Sequence, residues 1–225
     1  MKLIYLDPGH GGKDPGAVNG KRHESDDVLK LSKAVKSLLE EQGLTVRMTR
    51  ETDTYVSLED RTEQANRAQA DWFISIHRNS FANAEASGVE VWIYPTKDAE
   101  TNRGAKEVLD EIVQAGVQKN RGVKKGNYHV CRETKMPAML IEMGFITNAT
   151  DNQLFDSRFE QYAKAIAKGI CKAAGTEWNE KTASADQTDT VYRVQVGAYS
   201  KKENADSMLK KIEAAGFDGF IALGK

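Results

Sequence analysis

Asp71-Trp72-Phe73-Ile74-Ser75-Ile76-His77 is a short apolar run that ends on a histidine and gives way at once to Arg78-Asn79-Ser80. An apolar run of this length reads as a strand of a buried sheet. Two similar runs flank it in sequence, Leu3-Ile4-Tyr5-Leu6, ended by Asp7-Pro8-Gly9, and Ala138-Met139-Leu140-Ile141-Glu142. Strands are accordingly expected at 2–6, 44–49, 71–77, 88–94 and 137–143. Between the first two, Val28, Leu31, Val35, Leu38 and Leu39 share one side of a helix whose other side carries Lys30, Lys33, Lys36 and Glu40, and Gly43 closes it. Further helices are expected at 57–69, 100–117 and 158–174. Strands alternating with helices give an α/β fold, a central mainly parallel or mixed sheet flanked by helices.

The 225 residues suffice for one main domain of about 100–200 residues and a small appendage. Thr176 to Thr190 is polar and aperiodic, which reads as a linker. The expected organisation is a main domain over 1–175, a linker over 176–190 and a C-terminal piece over 191–225. In that piece 191–197 alternates like a strand, 201–215 has a helical pattern, and 220–223 starts another strand. This partial α+β piece is below the ~40 residues at which domains usually fold unaided.

Composition excludes several classes. With 32 basic residues scattered among 33 acidic ones and a net charge of −1, the footprint of a nucleic-acid binder is missing. No stretch approaches the ~20 apolar residues that span a bilayer, so no membrane insertion is expected. Cys131 and Cys171 lack paired spacing and read as free thiols. A monomer is expected.

Four residues stand at the ends of elements with the chemistry of a metal hydrolase. His10 follows the first strand in Leu6-Asp7-Pro8-Gly9-His10-Gly11-Gly12, His77 ends the third, Glu142 ends the last, and Glu24 opens the first long helix. Ligand crevices of open α/β sheets lie beyond the carboxyl ends of the strands, where these side chains can converge. Two imidazoles and one carboxylate, His10, His77 and Glu24, leave a fourth tetrahedral position open, the pattern of a catalytic site for one zinc ion. Glu142 then remains as general base. Taken alone, Glu24 is most simply a first-turn acid favouring the helix dipole, whereas a carboxylate within Met-Leu-Ile-Glu-Met is costly to bury without a partner.

His23 and His129 are reserve ligands or substrate contacts, with a surface histidine the simpler reading of each. Cys131, two residues from His129 on an expected strand, has no third orienting group for a thiol nucleophile. The glycines from Gly9 to Gly20 lack the Lys-Ser or Lys-Thr step of a phosphate loop.

Leu6–Gly12, Thr49-Arg50 with Asp53, Leu58 with Asp60-Arg61, Ala65-Asn66, Ala70–Ser80 and Pro137–Phe145 with Asn148 together resemble the zinc amidases of the amidase-3 type, over residues 1 to about 174. The resemblance implies zinc on His10, Glu24 and His77 and Glu142 as base. It also implies the bond cleaved, the amide between the lactyl group of N-acetylmuramic acid and the L-alanine of the stem peptide, with peptidoglycan as partner. Arg78, where such proteins often carry a small or apolar residue, is a departure expected to alter substrate contacts and not the metal. The tail from Val191 resembles part of a SPOR-type peptidoglycan-binding module. A catalytically silent wall-binding relative would be expected to lose one of the four residues, and all are present. A zinc peptidase cutting within the stem would use the same ligands. Because the short run Leu3–Leu6 reads as a strand and not as an export signal, the expected setting is synthesis in the cytoplasm and action on the wall after release, as in a phage endolysin or a mother-cell autolysin.

Overall fold

The computed structural model describes residues 2–180, 197–214 and 221. It divides into two units, residues 1–185 and 186–225. In the first unit the elements run β1 (Leu3–Pro8), β2 (Val18–Asn19), β3 (Arg22–His23), α1 (Glu24–Glu41), β4 (Thr45–Met48), α2 (Leu58–Arg67), β5 (Trp72–Asn79), β6 (Val89–Ile93), α3 (Ala99–Gln114), β7 (Asn120–Lys125), α4 (His129–Arg132), β8 (Ala138–Phe145), α5 (Ala149–Ser157) and α6 (Phe159–Ala173). The second unit contributes α7 (Lys202–Ala214), with an ion pair between Lys202 and Asp206 at 2.9 Å. Among the described residues no helix is long and apolar enough to cross a membrane.

Six strands form one sheet in the order β4-β1-β5-β8-β6-β7. The first four run parallel, β6 is antiparallel to β8, and β7 is parallel to β6. The sheet is therefore mixed and helix-flanked, as the alternation of apolar runs predicts.

Because side chains alternate across a strand, each apolar run splits into two sets. Ile4, Leu6, Ile74, Ile76, Met139 and Ile141 join Val28, Leu31, Val35, Val108, Ile112, Ile166 and Ile170 in the large core under α1, α3 and α6. Tyr5, Phe73, Ala138 and Leu140 face the other way, into a smaller core with Ala65 of α2 and Val130 and Cys131 of α4. Each fully buried aliphatic side chain contributes about 1.5–3 kcal/mol, so the larger face carries most of the stability. Continuing the alternation to the strand ends puts Asp7, Ser75, His77 and Glu142 on the thinner face, where there is room for a cleft.

Several elements differ from expectation. The segment around His129 is one helical turn and not a strand. β7, α5 and the β2–β3 hairpin are additional to the expected elements. Residues 176–180, within the expected linker, belong to the first unit and pack into it: Trp178 packs on the large core, and Asn179 exchanges two hydrogen bonds with Gln42 (2.7 and 3.2 Å). The remainder of that linker and the strand expected at 191–197 lie outside the described residues, Gly197 excepted. So does the strand expected at 220–223, apart from Ile221.

Candidate metal centre and cleft

His10 occupies the left-handed region (φ 59°), which is uncommon for a side-chain-bearing residue, so its loop must be held. Two arginines hold it by their guanidinium donors. Arg50 donates to the carbonyls of Pro8 (3.0 Å), Gly9 (2.7 Å) and Ser25 (2.9 Å), and Arg61 to those of Pro8 (2.8 Å) and His10 (2.6 Å). Arg61 is fixed in turn by buried Asp7, which accepts at 2.7 Å from Arg61, Thr49 and Ser75. Burial alone would raise the Asp7 carboxyl, but the Arg61 charge and these hydrogen bonds outweigh it and hold it below the usual range.

Two glycines permit close approach. A Cβ on Gly9 would sit 2.2 Å from the His77 ring, and one on Gly16 would meet His10 at 2.6 Å and Glu24 Oε2 at 2.7 Å. Gly16 also has φ 68°. With those side chains missing, the first-strand loop and the α1 N-terminus close around three donors.

Glu24 Oε1 lies 3.1 Å from His10 Nε2 and 2.8 Å from His77 Nδ1. The three ligand atoms all fall within 4.8 Å of one another. Atoms about 2.0–2.1 Å from a tetrahedral zinc ion lie roughly 3.3 Å apart, so two short N···O edges and a donor set of two imidazoles and one carboxylate fit such an ion. Behind the donors, His10 Nδ1 hydrogen-bonds Asp14 Oδ2 at 2.9 Å, the carboxylate partner that fixes a ligating imidazole. The Glu24 carboxylate also accepts from the backbone of Ala17 (2.9 Å) and Arg78 (3.0 Å). Burial opposes ionisation of Glu24, yet hydrogen bonds from His10 and His77 hold its pKa far below normal. Burial lowers His10, and Glu24 with Asp14 more than reverse this.

Glu142 pairs in register with His77 across β5 and β8, and with Glu90 across β8 and β6. Its Oε2 is buried with no hydrogen-bond partner. Burial first, then the charges of Glu24 and Glu90, push its pKa well up. Glu142, His10, Glu24 and His77 line one cleft of about 380 Å³, together with Tyr55, Leu58, Tyr128 and His129.

The other candidates separate. His23 is exposed, faces Asp26 at 3.7 Å, and is not among the cleft-lining residues. Cys131 is buried and its thiol is pushed up to about 12, which leaves it inert as a nucleophile. Arg78 corrects an expectation: its side chain is fully buried on the α1 side of the sheet, donating to Asp27 (2.6 Å) and Asn152 (2.7 Å), and it is the backbone N–H that reaches Glu24.

Sequence reasoning misses Glu90. Its carboxylate accepts from Asn79 (2.9 Å), Trp92 (3.0 Å), Arg121 (2.6 Å) and Lys124 (2.5 Å) beside Glu142. A lone acid in Val89-Glu90-Val91-Trp92-Ile93 is the same signal that marks Glu142. Asp14, four residues after His10, is missed too.

Comparison with known proteins covers both units. A family model described as N-acetylmuramoyl-L-alanine amidase, Amidase_3, matches residues 4–172, and a SPOR domain model matches 161–222, overlapping it within α6. The sporulation-specific N-acetylmuramoyl-L-alanine amidase of Bacillus subtilis strain 168 is 40% identical over 226 residues, 99% of this chain and 85% of that protein. N-acetylmuramoyl-L-alanine amidase CwlM of Bacillus licheniformis is 37% identical over 224 residues, 98% of this chain and 85% of that protein. The solved catalytic domain of CwlV, an N-acetylmuramoyl-L-alanine amidase from Bacillus (Paenibacillus) polymyxa var. colistinus, superposes with a TM-score of 0.74 at 35% identity, covering 79% of this chain and 100% of that one. The six-stranded mixed sheet, with its cleft at the strand ends, is thus the fold of relatives that share one activity, and the chain belongs to the Amidase_3 family of N-acetylmuramoyl-L-alanine amidases.

Proposed function

We propose that this chain hydrolyses the amide joining the lactyl group of N-acetylmuramic acid to the L-alanine of the stem peptide, with zinc on His10, Glu24 and His77 and Glu142 as general base. The observation that carries the reading is the register of His77 beside Glu142, which sets an unpartnered carboxylate against the three-donor cluster in one cleft. Zinc at these donors would supply a Lewis acid and lower the pKa of a coordinated water from about 15.7 to ~7. The Glu142 carboxylate takes the proton of the attacking water and returns it to the L-alanine nitrogen as the C–N bond breaks, leaving a lactyl carboxylate and a free amine. Asp14 keeps Nε2 of His10 available as the donor by binding the other ring nitrogen. Identity to a sporulation-specific amidase of Bacillus subtilis favours a mother-cell autolysin over a phage endolysin.

Glu142→Gln keeps the shape and removes the base. It is expected to retain fold and metal while losing activity by at least about 100-fold, within the range of one acid–base group. Mass spectrometry of purified walls should find new L-alanine amino termini with the parent chain and none with the variant. Cuts between other stem residues, or full turnover by the variant, would overturn the assignment.

A further inference from the structure

We propose that His129 is a substrate-contact residue, its Nε2 hydrogen-bonding a polar group of the muramoyl peptide in the cleft. The proposal rests on the amidase reading above and adds to it the group that receives the substrate on the α4 side. His129 lines the same cleft as His77 and Glu142, and its Nε2 is buried with no hydrogen-bond partner in the protein, as is Glu142 Oε2. A buried polar atom without a partner lowers stability, and nothing in the fold draws on this one. An imidazole nitrogen can donate or accept, which suits the amides, hydroxyls and carboxylates that a muramoyl peptide presents.

The mount of the ring is rigid, as a recognition group requires. His129 begins the single turn of α4, whose Val130 and Cys131 are buried in the smaller core. Two neighbours pin the end of that turn. Lys97 donates to the carbonyls of Thr134 (2.7 Å) and Met136 (2.9 Å), and Asn66 bonds the Glu133 carbonyl and the Lys135 N–H, both at 2.9 Å. Tyr55, Val56 and Leu58 line the same cleft. Of the two polar side chains that this end of α4 lends the cleft, Tyr128 and His129, it is His129 that carries the buried, unpartnered nitrogen.

His129→Phe separates a binding role from a structural one. If the nitrogen serves only substrate, the variant holds its metal content and an equal or higher Tm, while kcat/KM on a soluble N-acetylmuramoyl peptide falls by about tenfold or more, the size of one hydrogen bond. His129→Gln, which returns a polar atom near the position of Nε2, should recover part of the loss. Unchanged kcat/KM in His129→Phe, or a loss that follows a lower Tm, would overturn the proposal. A readout independent of turnover is the imidazole 15N resonance of His129 in the Glu142→Gln chain. It should shift when the muramoyl peptide is added, and an unmoved resonance at saturation counts against the contact. A parent chain that leaves the muramoyl–alanine bond intact would sink the amidase reading while this titration still decides the contact.

Discussion

Asp7 never touches the cleft's donors, yet it anchors what positions them. It is almost fully buried and gathers Arg61, Thr49 and Ser75 around one carboxylate, and Arg61 carries the network on to the carbonyl of His10. Removing one partner of a buried ion pair leaves the other uncompensated, at a cost of about 3–5 kcal/mol. Asp7→Asn should therefore destabilise the first unit by that amount in urea unfolding. The pH dependence has a definite sign. The native pKa lies below the unfolded value, so the stabilisation is complete above the unfolded value of about 3.9 and is lost as pH falls through the lower native value. Unfolding curves of the parent and Asp7→Asn should thus converge only below about pH 4. Convergence already near neutrality would show that the carboxylate is not ionised in the native state.

At the scale of elements, α1 must present Glu24 at a fixed height, and Asp27, one turn along, is what ties it down. Both Arg78 of β5 and Arg22 of β3 donate to Asp27 Oδ2 at 2.6 Å, and Arg78 also lies 4.2 Å from the Phe155 ring of α5. Asp27→Ala strands the buried Arg78 guanidinium and should cost about 3–5 kcal/mol. Arg78→Met replaces it with apolar volume beside Phe155, while Asp27 keeps Arg22, and should cost less than about 2 kcal/mol. A double-mutant cycle by thermal unfolding checks this. Negligible losses in both single variants would mean that α1 is held by its apolar face alone. Register explains which parts of this scale are legible in sequence. Strands β1, β5 and β8 are buried on both faces and therefore read as apolar runs, and their ends place His10, His77 and Glu142. Strand β7 is not legible, because Asn120-Arg121-Gly122-Val123-Lys124-Lys125 is an edge strand with one aliphatic side chain and nothing to bury on its outer side. Helix α5 buries only Asp151 and Phe155, too few to mark a period. Asp14 and Glu90 escape for another reason: Asp14 lies only four residues from His10 and Glu90 is the lone acid of its strand, but the loop geometry and the cross-strand pairing that give each its role appear only in the folded chain.

For the whole molecule, the stretch just past residue 175 makes contacts with the fold before it that its polarity does not announce. Thr176-Glu177-Trp178-Asn179-Glu180 has the composition of a linker, yet Trp178 lies on the large core, Asn179 pairs with Gln42 of the segment after α1, and Glu180 meets Lys164 of α6 at 2.6 Å. One apolar ring among polar neighbours yields no periodicity, so its docking is visible only in three dimensions. A chain ending at residue 185 keeps these contacts, and its Tm should match that of the first transition of the full chain. A chain ending at residue 175 uncovers the surface under Trp178, a loss of about 1–3 kcal/mol for a large apolar side chain, or roughly 2–4 °C in Tm for each kcal/mol at this size. Both chains hold His10, Glu24, His77 and Glu142, so both should bind metal and cut a soluble muramoyl peptide alike at 25 °C. Calorimetry of the two chains decides the matter, and identical transitions would mean that Trp178 rests on the core without stabilising it.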